Sequence, residues 1–151
     1  MKARRPTIDE ILSPFFAHQV EGKAGLALRR IVEVERRLRE CCEREADRIL
    51  TDTDRAILSI EQQFDPDGAV ARIMDAEPLI YFLSLFVRPE WLPPDPVQAK
   101  VQLRMIERLT GFLLRERLID RYSFSCPLID IEIGIQRGRA EARRQQPSGR
   151  G

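Results

Sequence analysis

Residues that build metal centres and nucleophilic sites are scarce in this sequence. Among its 151 residues there is one histidine, His18, and there are three cysteines, two of which, Cys41 and Cys42, are adjacent. A structural zinc site needs four thiolate or imidazole ligands at defined spacing, and a helical di-iron site needs two Glu-x-x-His motifs. A glycine-rich phosphate loop is also missing, because Gly22 and Gly25 do not have its spacing. The sequence therefore predicts no cofactor, no metal site and a protein that is not an enzyme.

The sequence also has little of what marks a secreted or membrane protein. An odd number of cysteines with an adjacent pair does not make a disulfide framework, since neighbouring side chains on a helix point about 100° apart. The most apolar run, Leu79 to Val87, has nine residues, which is less than half of a membrane span. No apolar run follows the basic residues at the N-terminus, so no signal peptide is predicted. We therefore expect a cytoplasmic protein that does not enter a membrane.

The chain is close to neutral overall. The chain has 25 basic and 24 acidic residues, a net charge of +1, which gives no reason to expect a nucleic-acid or membrane partner from bulk electrostatics. Arginine supplies 22 of the 25 basic residues. Its planar guanidinium makes bidentate contacts better than the lysine ammonium does, and this bias would suit an interface. Hydrophobic residues make up 43% of the chain, which predicts a folded, globular protein.

Glycine and proline are absent from the forty residues between Gly25 and Pro66. Because proline costs about 3 kcal/mol and glycine about 1 kcal/mol inside a helix, a run without either can form helix at unusual length. Apolar residues recur there every three or four positions, up to Ile60 and Phe64, and predict one buried stripe. Thr51 begins a TDTD segment that could start a second helix. We therefore predict, over residues 26–65, either one long helix or two helices.

Local signals predict further helix ends. A capping-box pattern at residues 7–10 begins a first helix, since the Thr and Glu side chains can each accept a hydrogen bond from the other's backbone N–H. The Asp-Pro-Asp-Gly segment at residues 65–68 is typical of a turn. Asp95 followed by Pro96 predicts the start of a helix that continues to about Leu118.

Near the C-terminus the hydrophobic period changes from three or four residues to two. Over residues 128–135, isoleucines alternate with polar residues or glycine, which is typical of a strand. The competing interpretation is a helix from Pro127 onward. The predicted fold class is mainly α: a helical bundle with one long helix, continuous or broken, and a C-terminal β-strand or hairpin. We predict a single helical domain over residues 1–136 and a basic flexible tail over residues 137–151.

The leading functional hypothesis is a non-enzymatic scaffold or adaptor protein that acts through oligomerisation or a protein partner. Trp91 lies in a proline-rich loop, and tryptophan in a rigid, partly exposed loop is typical of interface anchors. A lone C-terminal strand would expose an apolar edge, so Ile131 and Ile133 are the other predicted partner-binding residues. We expect a homo-oligomer or a complex with another protein.

The alternative hypothesis is a nucleic-acid-binding regulator. The segment from Arg104 to Ile135, a helix followed by a turn and the isoleucine run, resembles in a generic way the end of a winged-helix domain. That resemblance implies a recognition helix that runs into a two-stranded wing. It does not extend upstream, where a proline-rich loop replaces the expected helix and tight turn. Phosphate contacts would come from the basic C-terminal residues Arg137, Arg139, Arg143 and Arg144.

Overall fold

The computed structural model describes residues 4–145, and three quarters of them are helical. The chain divides into two compact units, Met1–Phe82 and Leu83–Gly151, which are described separately below. The prediction of one domain over residues 1–136 stays a prediction. The described residues form eight α-helices: α1 (Ile8–Gln19), α2 (Gly25–Arg44), α3 (Ala46–Ile49), α4 (Asp52–Phe64), α5 (Ala69–Ile73), α6 (Ala76–Phe86), α7 (Pro96–Arg115) and α8 (Ser125–Gln145).

The first helix begins at the predicted capping box. Thr7 Oγ1 accepts a hydrogen bond from the Glu10 backbone N–H at 3.2 Å, and Glu10 Oε1 accepts one from the Thr7 N–H at 3.0 Å. Two of the donors that a helix start leaves unpaired are therefore satisfied within the segment itself. The apolar side of α1 is buried, and in the first unit α1 packs against α2 and α5.

The predicted long helix is broken. Helix α2 ends at Arg44, and α4 begins after Thr51, whose hydroxyl accepts a hydrogen bond from the Asp54 N–H at 3.1 Å. The cap replaces the helical bonds lost at the break, and the break lets both α2 and α4 pack against α5. The two-helix alternative is confirmed, with the short helix α3 between the two segments.

The turn after α4 is fastened to its neighbours by side chains. Gly68 has a φ of +68°, a left-handed conformation that glycine adopts without strain. Helix α5 follows at once, and the Glu43 carboxylate of α2 accepts hydrogen bonds from the N–H groups of Val70 and Ala71 at 3.0 and 3.1 Å. A carboxylate at a helix start is favoured by the partial positive charge there. This contact ties α5 to α2.

Two long helices make the main packing of the second unit. Asp95 caps α7 by accepting a hydrogen bond from the Val97 N–H at 3.0 Å, and Pro96 occupies the first helical position, both as predicted. Helix α7 ends at Arg115, three residues before the predicted end at Leu118, and Arg117 then adopts a φ of +56°. Helix α8 packs against α7.

The predicted C-terminal strand is wrong, because residues 128–135 belong to helix α8. No strand forms within residues 4–145, where only an isolated bridge joins Thr7 and Asp75. The isoleucines separate into two pairs at helical spacing: Ile131 and Ile135 are buried, whereas Ile129 and Ile133 are exposed. The competing helix interpretation is therefore the correct one, and the buried pair faces the interior of the unit.

Small residues continue the buried side of α8 beyond Ile135. Gly138 and Ala142 are buried on it, and Gly134 lies against Val87. Close contact of this kind requires residues with little or no side chain. The flexible tail predicted from Arg137 is corrected accordingly: residues 137–145 are helical, and residues 146–151 lie outside the described residues.

The three cysteines lead to a testable chemical prediction. Cys41 and Cys42 are buried, whereas Cys126 is exposed. Burial raises the pKa of Cys41 to about 12 and that of Cys42 well above its ordinary value, so neither forms a reactive thiolate near neutral pH. At pH 8 we expect a thiol-specific disulfide reagent to label Cys126 alone in the folded chain. Labelling of all three thiols should require denaturant. Fast labelling of three thiols without denaturant would contradict the burial of Cys41 and Cys42.

The same burial has a consequence for stability at high pH. The folded-state pKa of Cys41 is about 12, above the ordinary value of 9.0 that applies when the chain is unfolded. A raised pKa favours the state that keeps the proton, so the stability that the buried Cys41 thiol contributes is fully present below pH 9. That stability is lost as the pH rises from about 9 to 12, because the unfolded chain releases the proton first.

Candidate interaction surface

The three residues predicted to bind a partner are placed differently from one another. Trp91 is only 7% exposed, its ring lies 6.1 Å from that of Phe86, and its carbonyl oxygen accepts a hydrogen bond from Gln102. Ile131 is 2% exposed, and Ile133 is 40% exposed. Trp91 and Ile131 are thus core residues and not exposed anchors, which leaves Ile133 as the one of the three on the surface.

The four arginines proposed for phosphate contact do not form one surface. Arg137 and Arg144 are seven residues apart and lie on one side of α8, while Arg139 and Arg143, four residues apart, lie on the opposite side. Arg139 pairs with Glu107 at 3.0 Å, and its hydrogen bonds lower the pKa of that carboxyl group. Arg144 pairs with Glu141. The wing itself is absent from the described residues, since α8 replaces it.

Helix α4 exposes an apolar face, and two of its residues, Ile60 and Phe64, are predicted from the sequence to be buried. Only Leu58 of its thirteen residues is buried. Ile57, Ile60 and Phe64 are 50%, 60% and 83% exposed, and their i, i+3, i+7 spacing places them on one side of the helix. We call these three residues the α4 stripe. Single exposed apolar residues are common, but three large ones aligned on one helix face make a candidate interaction surface.

The opposite side of α4 is held in place. Leu58 is buried there, and in the first unit α4 packs against α5. Arg72 of α5 donates a hydrogen bond to the Glu61 carboxylate at 2.8 Å and donates two more to the carbonyl oxygens of Asp65 and Asp67, at 2.7 and 2.8 Å. One guanidinium therefore joins α4, the turn and α5, so the stripe projects from a helix with a fixed orientation.

The sequence that carries the α4 stripe is acidic. Residues 51–68 contain five acidic side chains and one basic side chain, Arg55. Arg55 pairs with Asp52 in the first turn. Within residues 4–145, Asp54 and Asp67 make no ion pair, and they lie near the two ends of the helix. The stripe is thus an apolar surface in an acidic setting.

A groove lies between α7 and α8 in the second unit. It encloses about 300 Å³, the small end of the range for ligand sites. Two of the polar side chains that line it bond within the protein: Glu107 pairs with Arg139, and the Thr110 hydroxyl donates to the Ile106 carbonyl at 2.8 Å. Arg121, Ser125 and Glu132 are the other polar side chains in the lining. The apolar lining residues are Leu114, Leu128, Ile129, Ile131 and Ile135.

Residues 4–145 contain no group of three or more His, Cys, Asp or Glu side chains placed to hold a metal ion. None of their helices combines the length and the apolar character that crossing a bilayer requires.

No family model matches this chain, and no curated protein or solved structure matches it.

The sequence does not predict the α4 stripe, for an identifiable reason. The period of three or four residues places Ile60 and Phe64 at the end of one buried stripe over residues 26–65. The signal that separates the two faces is Ile57 next to Leu58, because adjacent residues point about 100° apart and cannot share one face. Only Leu58 turned out to be covered.

Proposed function

We propose that this protein is a non-enzymatic adaptor that binds a protein partner through the α4 stripe. The observation that carries the proposal is the exposure of Ile57, Ile60 and Phe64 on one face of α4. Amphipathic helices that bind a partner through one apolar face use anchors drawn from positions i, i+3, i+4 and i+7, and the stripe occupies i, i+3 and i+7. A reducing, cytoplasmic setting is part of the proposal, because all three cysteines are free thiols.

The size of the stripe indicates the strength of the complex. Full burial of a large apolar side chain contributes about 1.5–3 kcal/mol, and these three are already partly covered, so their burial would contribute roughly 3–6 kcal/mol. Association itself costs an estimated 4–15 kcal/mol. The stripe therefore serves as the anchor of a reversible complex, and the surface around it must add to the binding. This suits an adaptor, which has to release its partner.

Photo-crosslinking at α4 tests the proposal directly. Benzoylphenylalanine at position 60 would project from the stripe, and we expect it to form one discrete crosslinked product in cells that contain the natural partner. The matched control is the same amino acid at position 59, because Ser59 is exposed but lies off the stripe. The product should disappear in a Phe64→Ser background, since Phe64 is 83% exposed and its loss does not disturb the core.

The masses of the products identify the partner. A product at twice the 17.5 kDa chain mass would show that the stripe binds a second copy. Any other discrete mass would indicate a different protein. Equal crosslinking from positions 59 and 60, or crosslinking that persists in Phe64→Ser, would contradict the stripe as the binding surface.

A further inference from the structure

We infer that the partner surface that covers the α4 stripe carries basic side chains beyond both ends of its apolar contact. This inference rests on the proposed function and adds the chemical character of the partner. It is drawn from the charges around the stripe: five carboxylates and one arginine over residues 51–68. A complementary partner must therefore supply positive charge, because like charges brought together at an interface oppose association.

The ion pairs within the chain leave this acidic character in place. Arg55 pairs with Asp52, and Arg72 pairs with both Glu61 and Asp65, so two arginines face three of the five carboxylates. Asp54 near the start of α4 and Asp67 just beyond its end have no such partner within residues 4–145. At about 1.5 Å per residue, the helical part of the chain between them, Asp54 to Phe64, spans roughly 15 Å, and Asp67 lies three residues further on in the turn. The expected partner thus has an apolar centre with a lysine or arginine toward each end.

The acidic residues at the two ends of α4 have different local roles. Acidic residues in a first turn are favoured by the helix dipole, so Asp52 and Asp54 help α4 to form. Asp65 pairs with Arg72 at 3.6 Å, and its Oδ1 accepts a hydrogen bond from the Asp67 N–H at 3.1 Å. The Asp67 side chain, which lies just before the start of α5, makes no hydrogen bond within residues 4–145 and is exposed. Its charge can therefore be reached by a partner.

The same charges argue against a second α4 as the occupant. In an antiparallel pair, the acidic start of one helix would face the acidic turn after the other. In a parallel pair, each end would meet its own like charge. Either arrangement brings carboxylates together without a base between them, which destabilises an interface.

Two synthetic peptides test the inference with the intact chain. Both are 18-residue amphipathic helices with the same stripe of leucines. The polar face of one peptide consists of lysine, and that of the other consists of glutamate. By fluorescence anisotropy we expect the lysine peptide to bind at least tenfold more tightly in 0.1 M salt. The preference should fall below threefold in 1 M salt, where the screening length is about 3 Å instead of about 10 Å.

Three variants show where the peptide binds. Phe64→Ser should weaken both peptides, because it removes the most exposed apolar contact. Asp54→Asn combined with Asp67→Asn should reduce the lysine preference at least threefold and leave the glutamate peptide unchanged. The matched control, Glu21→Gln combined with Glu33→Gln, removes two carboxylates elsewhere in the first unit and should leave the preference intact.

The outcomes separate this inference from the proposed function. Equal affinity for the two peptides, or preference for the glutamate peptide, would overturn the basic partner, while crosslinking from position 60 would still support the stripe. Binding of neither peptide, or binding that Phe64→Ser does not change, would also overturn it. Sedimentation that shows a dimer of the intact chain, lost in Phe64→Ser, would identify a second copy as the occupant and refute the inference.

Discussion

Replacing Gly134 with alanine is expected to lower the free energy of unfolding by about 2–3 kcal/mol, because it places a methyl group where Val87 already lies. The new Cβ would overlap Val87 Cγ2 and lie 2.7 Å from Val87 Cβ. A side-chain Cβ is fixed to its backbone and cannot rotate away, so α8 or the segment at Val87 has to move. Thermal or urea unfolding followed by circular dichroism measures the loss.

Two other helix glycines serve as matched comparisons. Gly138→Ala would bring its Cβ to 2.8 Å from Leu103 Cδ1 and 3.1 Å from Leu92 Cδ1, which are flexible side-chain ends, so a smaller loss of about 1 kcal/mol is expected. Gly111→Ala meets only Arg115 Nη1 at 3.2 Å and should stabilise the chain by about 0.5–1 kcal/mol, the usual helix preference for alanine. The expected order, from the largest loss of stability to a gain, is Gly134→Ala, Gly138→Ala and Gly111→Ala. A different order would contradict the packing of α8 against Val87 and Leu103.

A double variant tests whether the loss comes from this contact. Val87→Ala removes the overlapping Cγ2 atom. In the background of Val87→Ala, the further change Gly134→Ala should therefore cost clearly less than it does alone, a coupling of 0.5 kcal/mol or more between touching residues. Additive losses would show that the two residues do not meet.

Replacing Gln102 with alanine should destabilise the chain by about 3 kcal/mol. Gln102 is fully buried, and its amide nitrogen donates hydrogen bonds to the carbonyl oxygens of Phe86 at 3.2 Å and Trp91 at 3.0 Å. Alanine would leave both buried carbonyls unpaired, at about 1–3 kcal/mol each. Loss of Gln102 Oε1, which has no hydrogen-bond partner within the described residues, offsets part of that cost.

The fluorescence of Trp91 gives this prediction a local readout. It is the only tryptophan in the chain, and its own carbonyl is one of the two that Gln102 holds. We expect the emission of Gln102→Ala to shift to longer wavelength as the loop loosens and water reaches the ring. Gln136→Ala, at an exposed position on α8, should change neither stability by more than about 0.5 kcal/mol nor the emission. Unchanged stability in Gln102→Ala would contradict its role in holding the loop.

The sequence predicts a local structure correctly where contacts within about four residues determine it. The capping box at residues 7–10, the Thr51 cap, the turn at residues 65–68 and the start of α7 at Asp95 and Pro96 are all as the sequence predicts. Each depends on a side chain that bonds to a nearby backbone group, or on a fixed φ angle, and so needs no distant contact. The mainly helical class follows from the same signals.

The candidate site could be predicted only in part. The apolar residues of α4 are visible in the sequence, but both Leu58 and its neighbour Ile57 are candidates for burial. Which one is covered depends on where α5 packs, and α5 is fixed by Glu43 and by Arg72 through contacts with other helices. The acidic character around the stripe, by contrast, can be counted directly from residues 51–68.

The sequence by itself determined the helix starts, the turn, the general class and the scarcity of metal-binding residues. The tertiary structure alone decided that residues 128–135 are helical, since alternating isoleucines favour a strand locally. That preference is overridden because Gly134 and Gly138 let α8 lie against Val87 and Leu103, residues 47 and 35 positions earlier in the chain. It also decided that Trp91 is buried and that the α4 stripe is exposed, because burial depends on what packs against a residue and not on the residue type.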